Sequence, residues 1–234
     1  MNDFLLSYYS IITHSVELLA AVTGILLLKK YKNTSTKYFI YFLIYLSICD
    51  FLGGYTRYIS NNGVFSFLDG TIFVKNYWWY TVFWKVLAIL FFAFYYFKIL
   101  KNGRFKAIIK YCAFTFLLFS VTYISLNIDD FFNSSLPIIN IIGAIIIFLC
   151  IGFYFIEILL SDGILIFYKS INFYISVAIF IWWIIITPIV FFENYFTTSD
   201  WDFVFLKWQI YLFANISMYL TFTFALLWCK PQND

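Results

Sequence analysis

Seven apolar stretches of the chain are each long enough to cross a lipid bilayer as a helix. About 20 apolar residues are needed, because a helix rises ~1.5 Å per residue and the hydrocarbon core is about 30 Å thick. The stretches are Tyr9–Leu28, Tyr38–Tyr58, Trp78–Phe97, Ala107–Leu126, Ile138–Leu160, Ile171–Glu193 and Trp208–Trp228. They predict an all-α membrane protein, a bundle of seven transmembrane helices that forms one domain over residues 1–234.

The composition excludes a soluble globular domain. Charged residues make up 12% of the chain and hydrophobic residues 64%, whereas a soluble domain carries about 25% charged residues to cover its surface. The lipid bilayer is therefore the predicted surrounding. No basic run is dense enough for nucleic-acid binding, so nucleic acid is not an expected partner.

The lysines and arginines between the segments are distributed unequally. Eleven cations belong to the loops and flanks after the first, third and fifth segments and to the C-terminal tail: Lys29, Lys30, Lys32, Lys37, Lys98, Lys101, Arg104, Lys106, Lys110, Lys169 and Lys230. The opposite loops hold Lys75 and Lys207 together with several aspartates. The positive-inside rule then predicts that the N-terminus is outside and the C-terminus is cytoplasmic.

Polar side chains of five segments are predicted to lie at one depth. The third segment is almost wholly apolar and aromatic but carries a lysine, and such a charge costs roughly 2.5–3.5 kcal/mol at the bilayer centre on insertion scales. Counted from the outer segment ends at ~1.5 Å per residue, five groups lie about 9–12 Å below the outer boundary. These groups are Glu17, Asp50, Lys85, Thr187 and Asn215.

Two further ionisable residues are predicted just above that level. His14 precedes Glu17 by three residues, so the two share a helix face. Arg57 follows Asp50 by seven residues and lies on the same face, although the rise of ~10 Å is too long for a direct contact. We expect Arg57 to meet the outer loops or Glu193.

These seven residues support two interpretations. In the first, they form a ligand-binding or proton-binding pocket that opens to the outer side, because ionisable groups inside membranes are by default candidates for a functional site. In the second, Lys85 pairs with Asp50 or Glu17 only to fix the order of the helices, since a buried ion pair can serve specificity without a ligand.

Smaller features carry further expectations. The stretch FSFLDGTIF in the second loop predicts a hairpin or an interfacial segment that lies on the membrane. Pro188 is expected to kink the sixth helix. Small residues are expected to allow close helix approach; they are Gly53, Gly54, Gly143 and Gly152.

Three polar residues outside the predicted pocket are not expected to bind a ligand. Asn140 and Asn172 lie near segment ends and are interpreted as caps or interface residues. Glu157 lies near the inner end of the fifth segment, where we expect water to solvate it.

Known enzyme motifs are absent from the sequence, which contains no Walker loop and no GxGxxG, HExxH or GxSxG pattern. The chain has one histidine, and its four cysteines match no metal or redox spacing. The seventh segment lacks the mid-helix lysine that binds retinal in microbial rhodopsins. We therefore predict no enzyme, no catalytic residue, no metal and no cofactor.

Several segments resemble a family of short integral membrane proteins from flavobacterial genomes. They are HSVELLAAVTG, KKYKNTSTKYFIYFLIY, KNYWWYTVFW, FYKSINFYISVAIFIWW and the C-terminal FALLWCKPQND. The resemblance covers nearly the whole chain and implies a multi-pass protein of the bacterial inner membrane. It implies no activity and no site residues.

Three function classes follow from these observations. The first is a sensor or receptor core that binds in its outer half and signals through a separate cytoplasmic or membrane partner. The second is a small-solute or proton-coupled transporter that uses Glu17, Asp50 and Lys85, although the inner half looks dry and apolar. The third is a structural or assembly subunit of a membrane complex. The sequence favours the first and leaves the oligomeric state open.

Overall fold

The computed structural model describes residues 2–59, 63–192 and 201–231, and no strand occurs among them. Seven long helices follow one another: α1 Asn2–Leu27, α2 Thr36–Gly53, α3 Tyr77–Ile99, α4 Gly103–Leu126, α5 Pro137–Leu159, α6 Ile171–Phe192 and α7 Trp201–Trp228. Each is long and apolar enough to cross a membrane. The predicted all-α fold of seven membrane-spanning helices is thus confirmed, and the chain is a multi-pass membrane protein.

The predicted helix ends differ most from the structure at the first residues of α1 and α7. Helix α1 begins at Asn2, two turns before the predicted start at Tyr9. Helix α7 begins at Trp201, two turns before the predicted start at Trp208. Asp202 and Lys207 interrupt the apolar run there, so hydropathy alone marks only the later part. At the other predicted ends the shift is smaller; α2, for example, continues to Tyr58 as a 3-10 helix.

Six of the helices form a closed ring in the order α1, α2, α3, α5, α6 and α7. Each packs against the next, and α7 packs against α1. Helix α4 lies outside this ring against α3 and α5 and has the smallest buried share of the seven. The ring therefore surrounds a central space to which α4 has no access.

The two halves of the ring are packed differently. We call the half that holds the N-terminal part of α1 the outer half, after the predicted orientation, and the other the inner half. Aromatic side chains fill the inner half, and Phe39, Tyr95, Tyr96 and Phe222 are at most 2% exposed. The rings of Phe39 and Phe222 meet edge to face at 4.9 Å between centroids. Such packing closes the ring towards the inner side.

Two buried tyrosine hydroxyls of the inner half have hydrogen-bond partners. The Tyr95 hydroxyl donates to Asn172 Oδ1 at 2.6 Å, and the Tyr96 hydroxyl donates to Ser176 Oγ at 2.8 Å. Both bonds join α3 to α6. Asn172 is thus buried between two packed helices.

The loop between α1 and α2 closes the inner end of α7. The Tyr31 hydroxyl, which is fully buried, donates to the carbonyl oxygens of Leu226 and Cys229 at 3.0 and 2.8 Å. Lys30 Nζ donates to the Leu226 carbonyl at 3.1 Å. Burial raises the pKa of the Tyr31 hydroxyl and lowers the pKa of Lys30. These donors satisfy carbonyl groups that the last turn of a helix leaves unpaired.

Glu157 also has a structural role that the sequence analysis missed. Its carboxylate accepts hydrogen bonds from the backbone N–H groups of Lys101 and Asn102, at 2.9 and 2.7 Å. These two residues connect α3 to α4. The carboxylate thus satisfies backbone donors of the turn, and its solvation by water stays a prediction.

Close helix approach occurs at two of the four glycines named above. A Cβ on Gly143 of α5 would lie 2.0 Å from Ile89 Cδ1 of α3, and a Cβ on Gly53 would lie 2.8 Å from the Tyr80 ring. At Gly54 and Gly152 the described atoms leave open space. Close approach is confirmed only at the first two, and α6 continues as a helix through Pro188.

The second loop does not form the expected hairpin. Its described part, residues 63–76, consists of turns and one short 3-10 helix, Ser66–Leu68, without a strand. Tyr55 holds the loop, because its hydroxyl donates to the Phe73 carbonyl at 2.7 Å. Val64 and Phe67 are largely exposed. The alternative of a segment that lies on the membrane stays a prediction.

Candidate functional site

A cavity of about 340 Å³ lies in the outer half of the ring. All six ring helices contribute to its wall, and the described residues of α4 contribute nothing. The wall includes all seven residues predicted from the sequence: His14, Glu17, Asp50, Arg57, Lys85, Thr187 and Asn215. The common depth estimated along separate helices is thus one site in space, whereas ligand or proton binding there stays a prediction.

The two carboxylates of the cavity meet the histidine. Glu17 lies one turn after His14 on α1, and the packing of α2 against α1 brings Asp50 to the same place. His14 Nδ1 is 3.0 Å from Asp50 Oδ2 and 3.9 Å from Glu17 Oε2. In the described part of the chain, these are the ion pairs of the two carboxylates. The partner expected from the sequence was Lys85, which lines the same cavity.

Burial differs strongly within this group. The Glu17 side chain is 3% exposed, that of Asp50 19% and that of His14 38%. Glu17 Oε1 also accepts a hydrogen bond of 3.2 Å from the Tyr219 hydroxyl of α7. Glu17 is therefore held between α1 and α7, while His14 and Asp50 remain accessible from the cavity.

Helix α3 changes its helical geometry where it contributes to the cavity wall. Residues 80–86 form a π-helix between the α-helical stretches Tyr77–Trp79 and Leu87–Ile99. Short π-helical insertions in α-helices often occur at functional sites. Three residues of this segment line the cavity: Tyr80, Trp84 and Lys85. The altered winding decides which side chains of α3 reach the site.

The wall formed by α6 and α7 combines indole rings with polar groups. Trp182 Nε1 donates to Asn215 Oδ1 at 2.7 Å and joins the two helices. The Thr187 hydroxyl donates to the Trp183 carbonyl at 2.6 Å within α6. Both interactions orient side chains that line the cavity.

Arg57 has a partner on α1. Its Nη2 donates to Ser10 Oγ at 2.7 Å, and both residues line the cavity near its outer end. The sequence analysis expected the outer loops or Glu193 as the partner. The contact with Ser10 of α1 was not expected, and Glu193 lies outside the described residues.

Sequence reasoning missed several residues of the wall. Asn140 of α5 was interpreted as a helix-end residue, and Trp182, Trp183 and Tyr219 were not singled out, yet all four line the cavity. Tyr219 and Trp183 lie four residues from Asn215 and Thr187, so the spacing of helix faces could have found them. Asn140 gave no such indication, because it lies close to the predicted outer end of its segment.

Comparisons with protein-family models, curated proteins and solved structures gave no match for this chain. The resemblance to flavobacterial membrane proteins therefore stays a prediction. The site has to be interpreted from its own geometry.

The chemistry of the cavity suits the binding of a small polar molecule. It has two carboxylates, two basic side chains and an imidazole, set among aromatic rings that include Tyr80, Trp84 and Trp182. Aromatic walls with a few polar groups at defined positions are typical of ligand sites. The described wall has neither a serine–histidine pair in contact nor a cysteine.

Proposed function

We propose that the protein is the receptor core of a membrane sensor that binds a small polar ligand in the outer-half cavity. The observation that carries this proposal is the cavity itself, because six helices that are separate in sequence contribute polar groups to one space of about 340 Å³. A ligand that contacts several ring helices at once can shift their packing, provided that it binds one arrangement better than another.

The closed inner half favours sensing over transport. Phe39, Tyr95, Tyr96 and Phe222 fill the ring below the cavity, and hydrogen bonds tie α3 to α6 there. Among the residues that the structure describes, these side chains close the way from the cavity to the inner side. Ligand binding is then communicated through helix packing to a separate cytoplasmic or membrane partner.

The setting we propose is the inner membrane of a bacterium, with the N-terminus outside. Two arguments support it: the resemblance to flavobacterial membrane proteins and the cations that the positive-inside rule assigns to the cytoplasmic face. In this orientation the cavity opens to the periplasm. Fractionation of the producing cells, with reporter fusions at both termini, tests this setting.

A cavity-filling substitution tests the proposed binding site. Ile186 of α6 lines the cavity and is 2% exposed, whereas Ile184 on the same helix is 48% exposed and lies on the outside of the ring. We expect a thermal-shift screen of small amino acids, organic acids and amines to give ligands of the wild-type chain. Ile186→Trp should abolish their binding, and Ile184→Trp should leave it unchanged.

Two results would contradict the proposal. One is a screen without any ligand for a well-folded wild-type protein. The other is undiminished binding by an Ile186→Trp variant that elutes as a folded species in size-exclusion chromatography. Equal loss of binding in both tryptophan variants would place the ligand on the lipid-facing surface and would also count against the cavity.

The arrangement of the helices favours one alternative, a small-solute or proton-coupled transporter. Helices α1–α3 and α5–α7 form two groups of three within the ring, and α4 links the two groups from outside. Two such groups of helices can rock against each other around a central site. Solute or proton flux into liposomes that contain the purified protein would favour this alternative over a receptor.

A further inference from the structure

The imidazole and the two carboxylates of the cavity have the composition of a metal-ligand set. His14, Glu17 and Asp50 each offer one ligand atom, and these atoms all lie within 4.8 Å of one another. They come from two helices, so the set is formed by tertiary packing. The sequence predicted no metal because it has one histidine and its four cysteines match no metal spacing. Glu17 and Asp50 are 33 residues apart, so the set follows no local motif.

The distances between the ligand atoms are close to those around a single ion. Two ligands about 2.0–2.2 Å from one ion are about 2.8–3.6 Å apart at angles of 90–110°. His14 Nδ1 is 3.0 Å from Asp50 Oδ2 and 3.9 Å from Glu17 Oε2. The largest separation in the set, 4.8 Å, has to shrink by roughly 1 Å on binding, which a rotation of one carboxylate can provide.

The donor types indicate which ions fit. One nitrogen and two carboxylate oxygens suit divalent transition metals such as Zn²⁺, whereas Mg²⁺ and Ca²⁺ prefer sites made of oxygen alone. Three protein ligands beside open space are typical of zinc sites that retain a position for water or a small molecule. The cavity next to His14 and Asp50 supplies that space.

A second layer of contacts supports the ligand set. The Tyr219 hydroxyl donates to Glu17 Oε1 at 3.2 Å, which leaves Oε2 towards His14. Metal-ligating carboxylates are commonly held by such outer hydrogen bonds. Two carboxylates with a neutral imidazole also match the charge of a divalent ion. Lys85 and Arg57 on the same cavity reduce its negative potential and so weaken the affinity.

We propose that His14, Glu17 and Asp50 bind one divalent transition-metal ion of the Zn²⁺ type in the outer-half cavity. This inference goes beyond the proposed function, since the ion binds whether or not an organic ligand enters. The remaining coordination position faces the cavity, where a metal-ligating group of a second molecule can reach it.

Metal titration of the detergent-solubilised full chain tests the proposal. The protein is first treated with EDTA and dialysed, and Zn²⁺ binding is then followed by calorimetry and by elemental mass spectrometry. We expect one Zn²⁺ per chain. His14→Ala and Asp50→Asn should each weaken binding at least about tenfold, and the outer-contact variant Tyr219→Phe should weaken it roughly 10–100-fold.

Asp129→Asn is the matched control, because this exposed carboxylate lies far along the chain in the short helix Ile128–Asn133. Its affinity for Zn²⁺ should equal that of the wild type. Absence of stoichiometric binding by the wild-type chain would overturn the proposal. Equal affinity of the His14→Ala variant and the wild type would do so as well.

X-ray absorption of the wild-type protein with Zn²⁺ keeps the test decisive if a variant fails to fold. The proposal requires a first shell of nitrogen and oxygen with one imidazole. Sulfur in that shell would assign the ion to the cysteines, Cys49, Cys112, Cys150 or Cys229, and would contradict it.

Failure of this inference is distinguishable from failure of the proposed function. Ile186→Trp fills the cavity without removing a ligand atom, so it should retain Zn²⁺ even where it loses organic ligands. His14→Ala should weaken the binding of Zn²⁺ more than the binding of organic ligands. Loss of metal binding alone leaves the receptor proposal standing, and loss of organic binding alone leaves the metal site standing.

Discussion

The outer and inner halves of the helix ring use their polar groups differently. In the outer half, His14, Glu17 and Asp50 face a cavity, and their contacts leave space between the helices. In the inner half, the hydroxyls of Tyr95 and Tyr96 are buried and paired across a filled interface. Polar atoms of the outer half thus line a space as well as joining helices, whereas those of the inner half lie within a filled interface. Stability should therefore depend mainly on the inner half.

The largest effect is expected where the inner half is filled by an aromatic ring. Phe39 is fully buried against Phe222, and Phe39→Ala should lower the free energy of unfolding by about 3–5 kcal/mol, because it leaves a cavity. Unfolding by SDS titration in mixed micelles measures this. Phe114→Ala on α4, at 59% exposure, is the control. Similar losses for both would contradict the contrast between filled core and lipid-facing surface.

A smaller loss is expected from the inner-end hydrogen bonds. Tyr31→Phe removes the donor to the Leu226 and Cys229 carbonyls and should lower the free energy of unfolding by about 1–3 kcal/mol, since buried acceptors then lack partners. The same titration applies, with the exposed Tyr41→Phe as control. No difference between the two variants would show that α7 does not need this cap.

The ion pair of the outer half is expected to show a measurable but modest coupling. A double-mutant cycle with His14→Ala and Asp50→Asn should give a coupling energy of about 1 kcal/mol, because the two side chains are in contact at 3.0 Å. His14→Ala combined with Asp129→Asn should be additive. If the first pair is additive too, His14 is not the partner of Asp50, and the pairing with Lys85 expected from the sequence regains support.

The smallest effect is expected from Thr187→Val. The hydroxyl bonds the Trp183 carbonyl of its own helix, so the nearly isosteric change should alter the free energy of unfolding by less than about 0.5 kcal/mol. Because the hydroxyl lines the cavity, ligand affinity should change more than stability. A loss above 1.5 kcal/mol by SDS titration, about threefold the expected limit, would show that this part of the outer half is packed for stability.

The sequence by itself determined the number, type and approximate ends of the helices. In lipid every backbone polar group needs an internal partner, so an apolar run of about 20 residues that crosses the bilayer is expected to form a helix. It also determined the depth of the polar groups, since distance along a helix follows from residue number. For this reason Glu17, Asp50, Lys85 and Asn215 were identified before their neighbours in space were known.

Only the tertiary structure decided which groups meet. Segments that are apolar on all sides carry little information about which face turns inward, so the ring order, the outside position of α4 and the entry of Asn140 into the cavity could not be predicted. The pairing of His14 with Asp50 arises in the same way, because it joins α1 to α2, whereas its contact with Glu17 follows from their spacing of three residues along α1. Side-chain contacts across helices set the first pairing, and residue spacing within one segment does not encode such contacts.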